Sequence, residues 1–232
     1  PISNLSEKHA LNLKTNLGVD YSNFFNDIFA PSYEEGGFRR PDAVYSNVYG
    51  DGLTLTWINT AEYTYKSNDH DIRVLGGMEA ITYQFRDLSA GRSGYILEDD
   101  NYVQIGSGAD STATNDGGRI EWGLRSFFGR ADYSFKDRYL LGATIRYDQT
   151  SRLTTSGTFP AFSFGWNIHN ENFASSLFSG RFLHTLKARV GWGQQGNQAI
   201  GTYDIYSTFG LDNNRADYDL NGNNNSVISG LI

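Results

Sequence analysis

Apolar and polar residues alternate along most of this chain with a period of two. Between positions 53 and 66, Leu55, Trp57 and Tyr63 fall on one face of an extended strand, while Thr56 and Glu62 fall on the other. Such alternation predicts β-strands that each present one apolar and one polar face. We predict about eight strands, at 8–22, 53–66, 71–86, 120–136, 139–149, 159–169, 183–193 and 203–209.

The predicted strands differ from those of ordinary soluble sheets in length and in their polar faces. They run to about 10 to 15 residues, against about five or six in a typical soluble strand. Charged residues fall in mid-strand on the polar face, where a water-filled barrel interior accepts them; they are Arg130, Asp132, Arg146 and Arg189. A soluble sheet with one solvated face produces the same alternation. Periodicity alone therefore leaves both architectures open.

The connections between these strands alternate between short and long. Residues 67–70 and 136–138 form tight turns, whereas 29–52, 87–118 and 210–226 are long and polar. The connection at 170–184 breaks this alternation and is compatible with a helical turn. Compact soluble domains rarely carry several long loops, but outer-membrane barrels combine short periplasmic turns with long extracellular loops. The pattern favours an all-β fold, part of a large antiparallel transmembrane β-barrel with long extracellular loops and short periplasmic turns.

Composition supports this architecture and excludes several kinds of function. The 232 residues include 26 Gly, 15 Tyr, 15 Phe and 4 Trp, a mixture typical of all-β proteins with many turns. The chain has no cysteine, which excludes a disulfide framework and thiolate metal sites. Its net charge of −7 argues against nucleic acid as a partner. No apolar run approaches the about 20 residues of a membrane-spanning helix.

Gly191, Gly193 and Gly196 have the G-x-G-x-x-G spacing of a dinucleotide-binding turn. That turn needs a buried strand before the glycines and a helix after them, so that helical N–H groups can bind the pyrophosphate. Here residues 186–192 alternate apolar with polar, and residues 199–209 are rich in β-branched and aromatic types without a helix signal. We therefore expect these glycines to end a strand.

Three motifs resemble the barrel of SusC/RagA-type TonB-dependent outer-membrane transporters. They are YLLGATIRYDQTSRL at 139–153, GTFPAFSFGWNIHNENF at 157–173 and LKARVGWGQQGNQAIGTY at 186–203. Their order matches the family, although Gln149 and Thr150 stand where the family usually has Gly and Ser. We interpret the matching positions as mainly structural residues of the barrel rim. These positions are Asp148, Ser151, Arg152, Thr158, Phe159, Pro160, Gly196, Asn197 and Gln198.

The resemblance implies an integral protein of the Gram-negative outer membrane that imports large nutrients, typically oligosaccharides or peptides, with energy from TonB. It also implies a SusD-like surface lipoprotein as a lid, TonB contact through a missing N-terminal region, contact with lipid and lipopolysaccharide, and a dimer of SusCD pairs as one further assembly. We expect residues 1–232 to be an internal segment of the barrel domain, with about eight of the ~22 strands of a plugged transporter barrel. The plug domain, the signal peptide and the remaining strands are then absent from this sequence. We expect no enzyme, because no nucleophile elbow supports Ser/His/Asp catalysis.

Aromatic residues in or beside the predicted outer loops are candidates for contact with substrate or lid, because sugars bind aromatic faces flanked by hydrogen-bonding side chains. These candidates are Tyr33, Phe38, Tyr45, Tyr49, Tyr95, Tyr102, Tyr203 and Tyr206. Each could instead pack within its own loop. Asp217, Asp219 and Asn221 match the first half of a calcium-binding loop, but Ile228 stands where that loop needs glutamate. We therefore expect no cofactor and keep calcium as a minor alternative.

A soluble or secreted β-rich module for carbohydrate binding or adhesion is the alternative from another functional class. The two architectures differ in what surrounds the apolar strand faces. A transporter barrel turns Leu55, Trp57, Ala188 and Val190 outward to lipid, whereas a β-sandwich buries them between its sheets. The exposure of these four side chains therefore distinguishes the two interpretations.

Overall fold

The computed structural model describes residues 4–6, 8–99, 101–174, 185–206, 209–210, 217–220, 223–226 and 229–231. The strands are β1 (Asn4–Ser6), β2 (His9–Ala30), β3 (Tyr33–Glu35), β4 (Phe38–Arg40), β5 (Val44–Lys66), β6 (His70–Ser93), β7 (Thr114–Phe135), β8 (Tyr139–Thr150), β9 (Gly157–Asn167), β10 (Lys187–Gly193), β11 (Phe209–Gly210), β12 (Asp217–Leu220), β13 (Asn223–Ser226) and β14 (Ser229–Leu231). Short 3₁₀ helices span Ile105–Ser107, Asp110–Thr112 and Ile168–Asn170.

Eight of these strands form one antiparallel sheet, in the order β1-β2-β5-β6-β7-β8-β9-β10. Apart from the small β3–β4 hairpin, strands that follow one another along the chain are neighbours in this sheet, as in an up-and-down barrel wall. The predicted all-β fold class is therefore confirmed. No helix within the described ranges is long and apolar enough to cross a membrane.

Seven of the eight predicted strands correspond to β2 and β5–β10. The prediction for 203–209 is wrong at 203–206, which form turns. The backbone N–H of Tyr206 donates to the carbonyl of Tyr203 at 2.9 Å, so the hydrogen bonds of this stretch close locally instead of joining a ladder. Its β-branched and aromatic composition matched a strand, but among the described residues no strand pairs with 203–206.

The long strands extend well beyond their predicted ends, and always at the end of the sheet that carries the long loops. β2 continues to Ala30, β5 begins at Val44, β6 continues to Ser93 and β7 begins at Thr114. The loops predicted at 29–52 and 87–118 are therefore wrong in extent, because only 31–43 and 94–113 separate the sheet strands. Outside a bilayer, a strand needs only paired backbone N–H and C=O groups. The extensions can therefore be polar and rich in glycine, and they lack the apolar alternation from which the strands were predicted.

The two predicted short turns are confirmed at the opposite end. Residues 67–69 join β5 to β6, and 136–138 join β7 to β8. Lys136 and Asp137 have φ of 54° and 52°, as in the type I′ turn that suits the twist of a two-residue hairpin. Of the connection predicted at 170–184, residues 175–184 lie outside the described ranges.

The sheet is a single layer with almost no conventional core. Among the described side chains, the buried hydrophobic residues are Ala43, Tyr95, Leu124 and Ala174. A soluble domain of this size buries far more apolar surface. No second layer of the described chain covers either face of this sheet, so both faces contact something other than the described residues.

Candidate functional site

The two faces of the sheet differ sharply in chemistry and in exposure. Trp57 is 47% exposed, Leu55 40% and Val190 66%, and Ala188 is exposed as well. A β-sandwich would bury these four residues, so their exposure favours the lipid-facing wall over the soluble module. On the polar face Ser126 is fully buried, and its hydroxyl accepts from the Arg146 guanidinium at 2.8 Å.

The apolar face forms a continuous band across neighbouring strands. One row of directly paired residues runs Tyr63, Val74, Ala131, Ala143 and Phe162 across β5 to β9. Along β5 the band extends from Leu53 to Tyr65, about 40 Å of strand at ~3.3 Å per residue. A strand tilted by about 40° then spans roughly 30 Å, the thickness of a bilayer core.

Two matching histidine–aromatic clusters lie on the apolar face beside the short-turn end. A ring nitrogen of His9 lies 2.7 Å from the Tyr63 hydroxyl, and a ring nitrogen of His70 lies 2.9 Å from the Tyr133 hydroxyl. Amphipathic rings at this height are typical of the aromatic girdle at a membrane interface.

The polar face carries a cross-strand network centred on Arg146. Its guanidinium donates to Glu79 at 2.5 Å, to Asp148 at 2.7 Å and to Ser126 Oγ at 2.8 Å. To reach Glu79, two strands away, Arg146 passes over the Phe128 ring, with the guanidinium carbon 5.8 Å from the ring centroid. The ring in turn lies over Gly77, where a Cβ would collide with it. Asp148, one of the motif positions, therefore helps to hold the charged Arg146 side chain against the polar face of the sheet.

A second charged region lies on the same face, closer to the short turns. Arg130 pairs with Asp132 at 2.6 Å, and Arg73, Lys187 and Arg189 line the same open pocket of ≈ 450 Å³. Charges of both signs in mid-strand keep this face wet, as in a barrel interior.

Ser151 and Tyr203 close the exposed edge of β7 where β8 ends. Gly123 N–H donates to Ser151 Oγ at 3.0 Å, and Ser151 N–H donates to the Gly123 carbonyl at 2.9 Å. Further along the same edge, Tyr203 Oη accepts from Glu121 N–H at 3.2 Å and donates to the Arg119 carbonyl at 3.3 Å. Tyr203, a candidate substrate contact, thereby holds the segment after the GNQ motif against β7.

Arg152 belongs to a stack on the polar face at the same rim. Its guanidinium carbon lies 4.2 Å from the Trp122 ring centroid, and Trp122 stacks on Tyr83 at 5.6 Å. Arg152 N–H also donates to the Thr150 hydroxyl at 3.3 Å. The motif position therefore stabilises the loop after β8 through stacking on the barrel wall.

The GNQ motif turns the chain away from β10. Gln194 N–H donates to the Pro160 carbonyl at 2.9 Å and extends the pairing with β9 by one residue. Asn197 Oδ1 accepts from Ala199 N–H at 2.8 Å, a local turn contact. Gly196 lies so close to the ring of Phe159 that an added Cβ would have to displace the ring. The prediction that the glycines at 191 and 193 end a strand is confirmed by β10, which ends at Gly193.

The other candidates occupy several environments. Thr158 and Pro160 lie in β9, paired with Tyr147 and Ile145 of β8, and Gln198 follows the turn. Tyr45 and Tyr49 lie in β5, Tyr33 in β3 and Phe38 in β4. Tyr95 is only 6% exposed and packs edge-on against Phe29 and Tyr45, whereas Tyr102 and Tyr206 are each 61% exposed. The structure therefore gathers no single site from these aromatic residues.

The calcium prediction stays a prediction. Asp217 and Asp219 lie in β12, which pairs with β13, while Asn221 lies outside the described residues. Within the described part of the chain, no group of three or more His, Cys, Asp or Glu residues could hold a metal ion.

Sequence reasoning missed a pair of phenylalanines on the polar face. Phe24 and Phe85 flank the glycines of β5 in the strand extension beyond the apolar band. Their rings are nearly parallel, with 15° between planes and 6.3 Å between centroids. The G-x-G spacing of Gly50 and Gly52 was the available signal, but residues 29–52 were predicted as a loop.

Comparison with known proteins gives one consistent result. The chain is 30% identical over 211 residues to the TonB-dependent receptor P39 of Formosa agariphila, a match that covers 86% of this chain and 19% of that protein. It is 42% identical over 94 residues to the TonB-dependent receptor SusC of Bacteroides thetaiotaomicron, covering 39% of this chain and 9% of SusC. No family model matches the chain.

A solved structure of the RagAB peptide transporter has the same fold, with a TM-score of 0.78 and 24% identity over 92% of this chain and 23% of the solved chain. The chain therefore spans about a fifth of the length of P39 and about a quarter of the matched RagAB chain. The exposed apolar band, the wet opposite face and these relatives agree. The chain belongs to the SusC/RagA-type TonB-dependent receptors and forms part of their outer-membrane β-barrel.

Proposed function

We propose that the whole protein imports a large nutrient across the outer membrane, as the barrel subunit of a SusCD-like complex energised by TonB. The observation that carries this proposal is the pairing of an exposed apolar face with a hydrated, charge-bearing face on one single-layer sheet. A barrel wall between lipid and water gives both faces a suitable environment. The similarity to SusC and to P39 supports TonB as the source of energy.

The nutrient is an oligosaccharide or a peptide. The solved relative is a peptide transporter, which supports large, flexible cargo as the class. The strand extensions on the long-loop side raise the wall well beyond the apolar band, so this side can contact cargo before it enters the barrel. Residues 1–232 then correspond to an internal segment of the barrel domain.

The partners follow from the same proposal. A SusD-like lipoprotein would cover the long-loop side, where the loop 94–113 and the β3–β4 hairpin stand above the wall. TonB would engage a plug-bearing N-terminal region, and phospholipid and lipopolysaccharide would surround the apolar band. Two such pairs could assemble as a dimer.

Uptake by living cells tests this function. We expect deletion of the full-length gene to abolish uptake of the cognate fluorescently labelled oligosaccharide or peptide pool, and deletion of TonB to abolish it equally. The protein should fractionate with the outer membrane, migrate differently with and without heating, and co-purify with a lipoprotein. Undiminished uptake in the gene deletion, together with a soluble protein, would contradict the proposal.

A further inference from the structure

The polar face carries a flat aromatic surface in the strand extension above the apolar band. Two adjacent rows of paired residues form it: Phe24, Gly50 and Asp87 in one, and Ser22, Gly52 and Phe85 in the next. Each row contains an aromatic ring, a central glycine of β5 and an oxygen-bearing side chain. The ring lies on β2 in the first row and on β6 in the second. We call these six residues the aromatic floor.

The central glycines determine how the rings lie. A Cβ at Gly50 would collide with the Phe24 ring, and a Cβ at Gly52 would meet the Phe85 ring at 3.6 Å and Ser22 Oγ at 3.0 Å. Phe24 therefore lies across the backbone of β5 instead of standing away from the sheet. The two ring planes differ by only 15° and their centroids lie 6.3 Å apart, so the neighbouring rings present similarly oriented faces along the glycine strip.

Ring faces of this floor are available to a ligand. Phe24 is 46% exposed, on a strand that beyond Ala10 pairs with β5 on one side and with no described strand on the other. Phenylalanine normally gains stability by burying its ring. Packing within the described chain leaves part of both ring surfaces uncovered.

The groups around the rings indicate the chemistry of the ligand. The Ser22 hydroxyl and the Asp87 carboxylate lie on opposite sides of the glycine strip and can bind hydroxyl groups, while Asp20, Thr54 and Tyr83 continue the polar surface in the next row. Apolar ring faces combined with fixed oxygen atoms suit a sugar ring, which presents C–H groups on its face and hydroxyls on its edge. No basic side chain belongs to the floor, so it offers little to an anionic ligand.

We propose that the aromatic floor binds neutral oligosaccharide, with sugar rings stacked on Phe24 and Phe85 and their hydroxyls bonded to Ser22 and Asp87. This inference rests on the proposed import function and names the cargo class at the barrel mouth. Peptide cargo is the competing outcome of the test.

Binding by the full-length transporter tests the floor. The purified protein is screened against an array of neutral oligosaccharides, and the best binder is titrated by calorimetry. We expect Phe24→Ala and Phe85→Ala each to weaken binding about tenfold, which corresponds to ~1.4 kcal/mol. Gly50→Ala should weaken it similarly without removing a ring, because the new Cβ displaces Phe24.

Gly76→Ala is the matched control. This glycine lies in β6 and has no atom within 4 Å of an added Cβ, so the variant should bind as wild type. Heat-modifiable migration and the unfolding midpoint confirm folding of each variant, and Phe24→Leu, which keeps apolar volume but removes the ring face, replaces any variant that fails to fold.

The outcomes separate the floor from the import function. TonB-dependent uptake that persists unchanged in the folded Phe24 and Phe85 variants would overturn the floor and leave import intact. Binding of peptides but of no array sugar would likewise overturn the sugar assignment. Absence of any TonB-dependent uptake by the wild type would instead refute the proposed function.

Discussion

The network around Arg146 gives the sharpest test of the barrel wall. Replacing Arg146 by methionine keeps much of the side-chain volume and its contact with Phe128, but leaves Glu79 and Asp148 without their shared cation. The side chains of Glu79 and Asp148 are 17% and 25% exposed, so water replaces the lost bonds only in part. We therefore expect the free energy of unfolding to fall.

The size of the effect follows from that partial burial. Breaking a fully buried ion pair costs about 3–5 kcal/mol, and an exposed pair contributes only about 0–1 kcal/mol. A network of intermediate exposure with three bonds to one guanidinium should lose about 2 kcal/mol. Arg130→Met is the matched control: its pair with Asp132 lies on the same face, but Arg130 is 60% exposed, so its loss should stay below about 0.5 kcal/mol.

Urea unfolding of the full-length barrel in lipid vesicles measures the free energy of unfolding of both variants. The comparison holds when the dependence of that free energy on urea concentration, the m-value, is the same as in the wild type. Adding Glu79→Gln to Arg146→Met should recover part of the loss, because it removes an unpaired carboxylate. Equal destabilisation by Arg146→Met and Arg130→Met, or a further loss in the double variant, would refute the reasoning.

Three further predictions concern the ends of the strands. Asp137→Gly should stabilise the barrel by about 0.5–1 kcal/mol, because φ is +52° at this position; a lower urea midpoint would contradict this. Hydrogen bonds from Tyr139 and Trp166 lower the pKa of Glu171. The stabilisation that Glu171 contributes should therefore be fully present above its unfolded-state pKa of about 4.3 and be lost as the pH falls through its lower folded-state pKa. Glu171→Gln should flatten that part of the curve of stability against pH. Tyr203→Phe should cost about 1 kcal/mol and speed amide exchange at Glu121, whereas unchanged exchange would show that the contact does not protect this edge.

The single-layer architecture explains why such contacts matter. Few described hydrophobic side chains are buried within the protein itself, and the apolar band gains its stability from lipid. Backbone pairing, short turns and local polar contacts therefore carry the remaining specificity. The pairing between β2 and β5 alone joins 22 residue pairs without a register shift, and it continues from the apolar band into the strand extensions.

The sequence by itself determined the fold class, the two tight turns, seven of the eight predicted strands and the family. Alternation with a period of two is local information, because successive side chains of a strand point to opposite faces. The motifs at 139–153 and 186–203 are likewise contiguous, so they were visible without the fold.

Only the tertiary structure decided what depends on pairing between distant segments. Glu79 and Arg146 meet although 67 positions separate them, and Tyr203 reaches Glu121 across 82 positions. The register of β2, β5 and β6 brings Phe24, Gly50 and Phe85 onto one surface, although they come from three separate stretches of the chain and only Gly50 lies in a predicted loop. Backbone hydrogen bonds between neighbouring strands fix that register. Where both faces of the sheet are hydrated, the sequence shows no alternation of apolar and polar residues from which the register could be predicted.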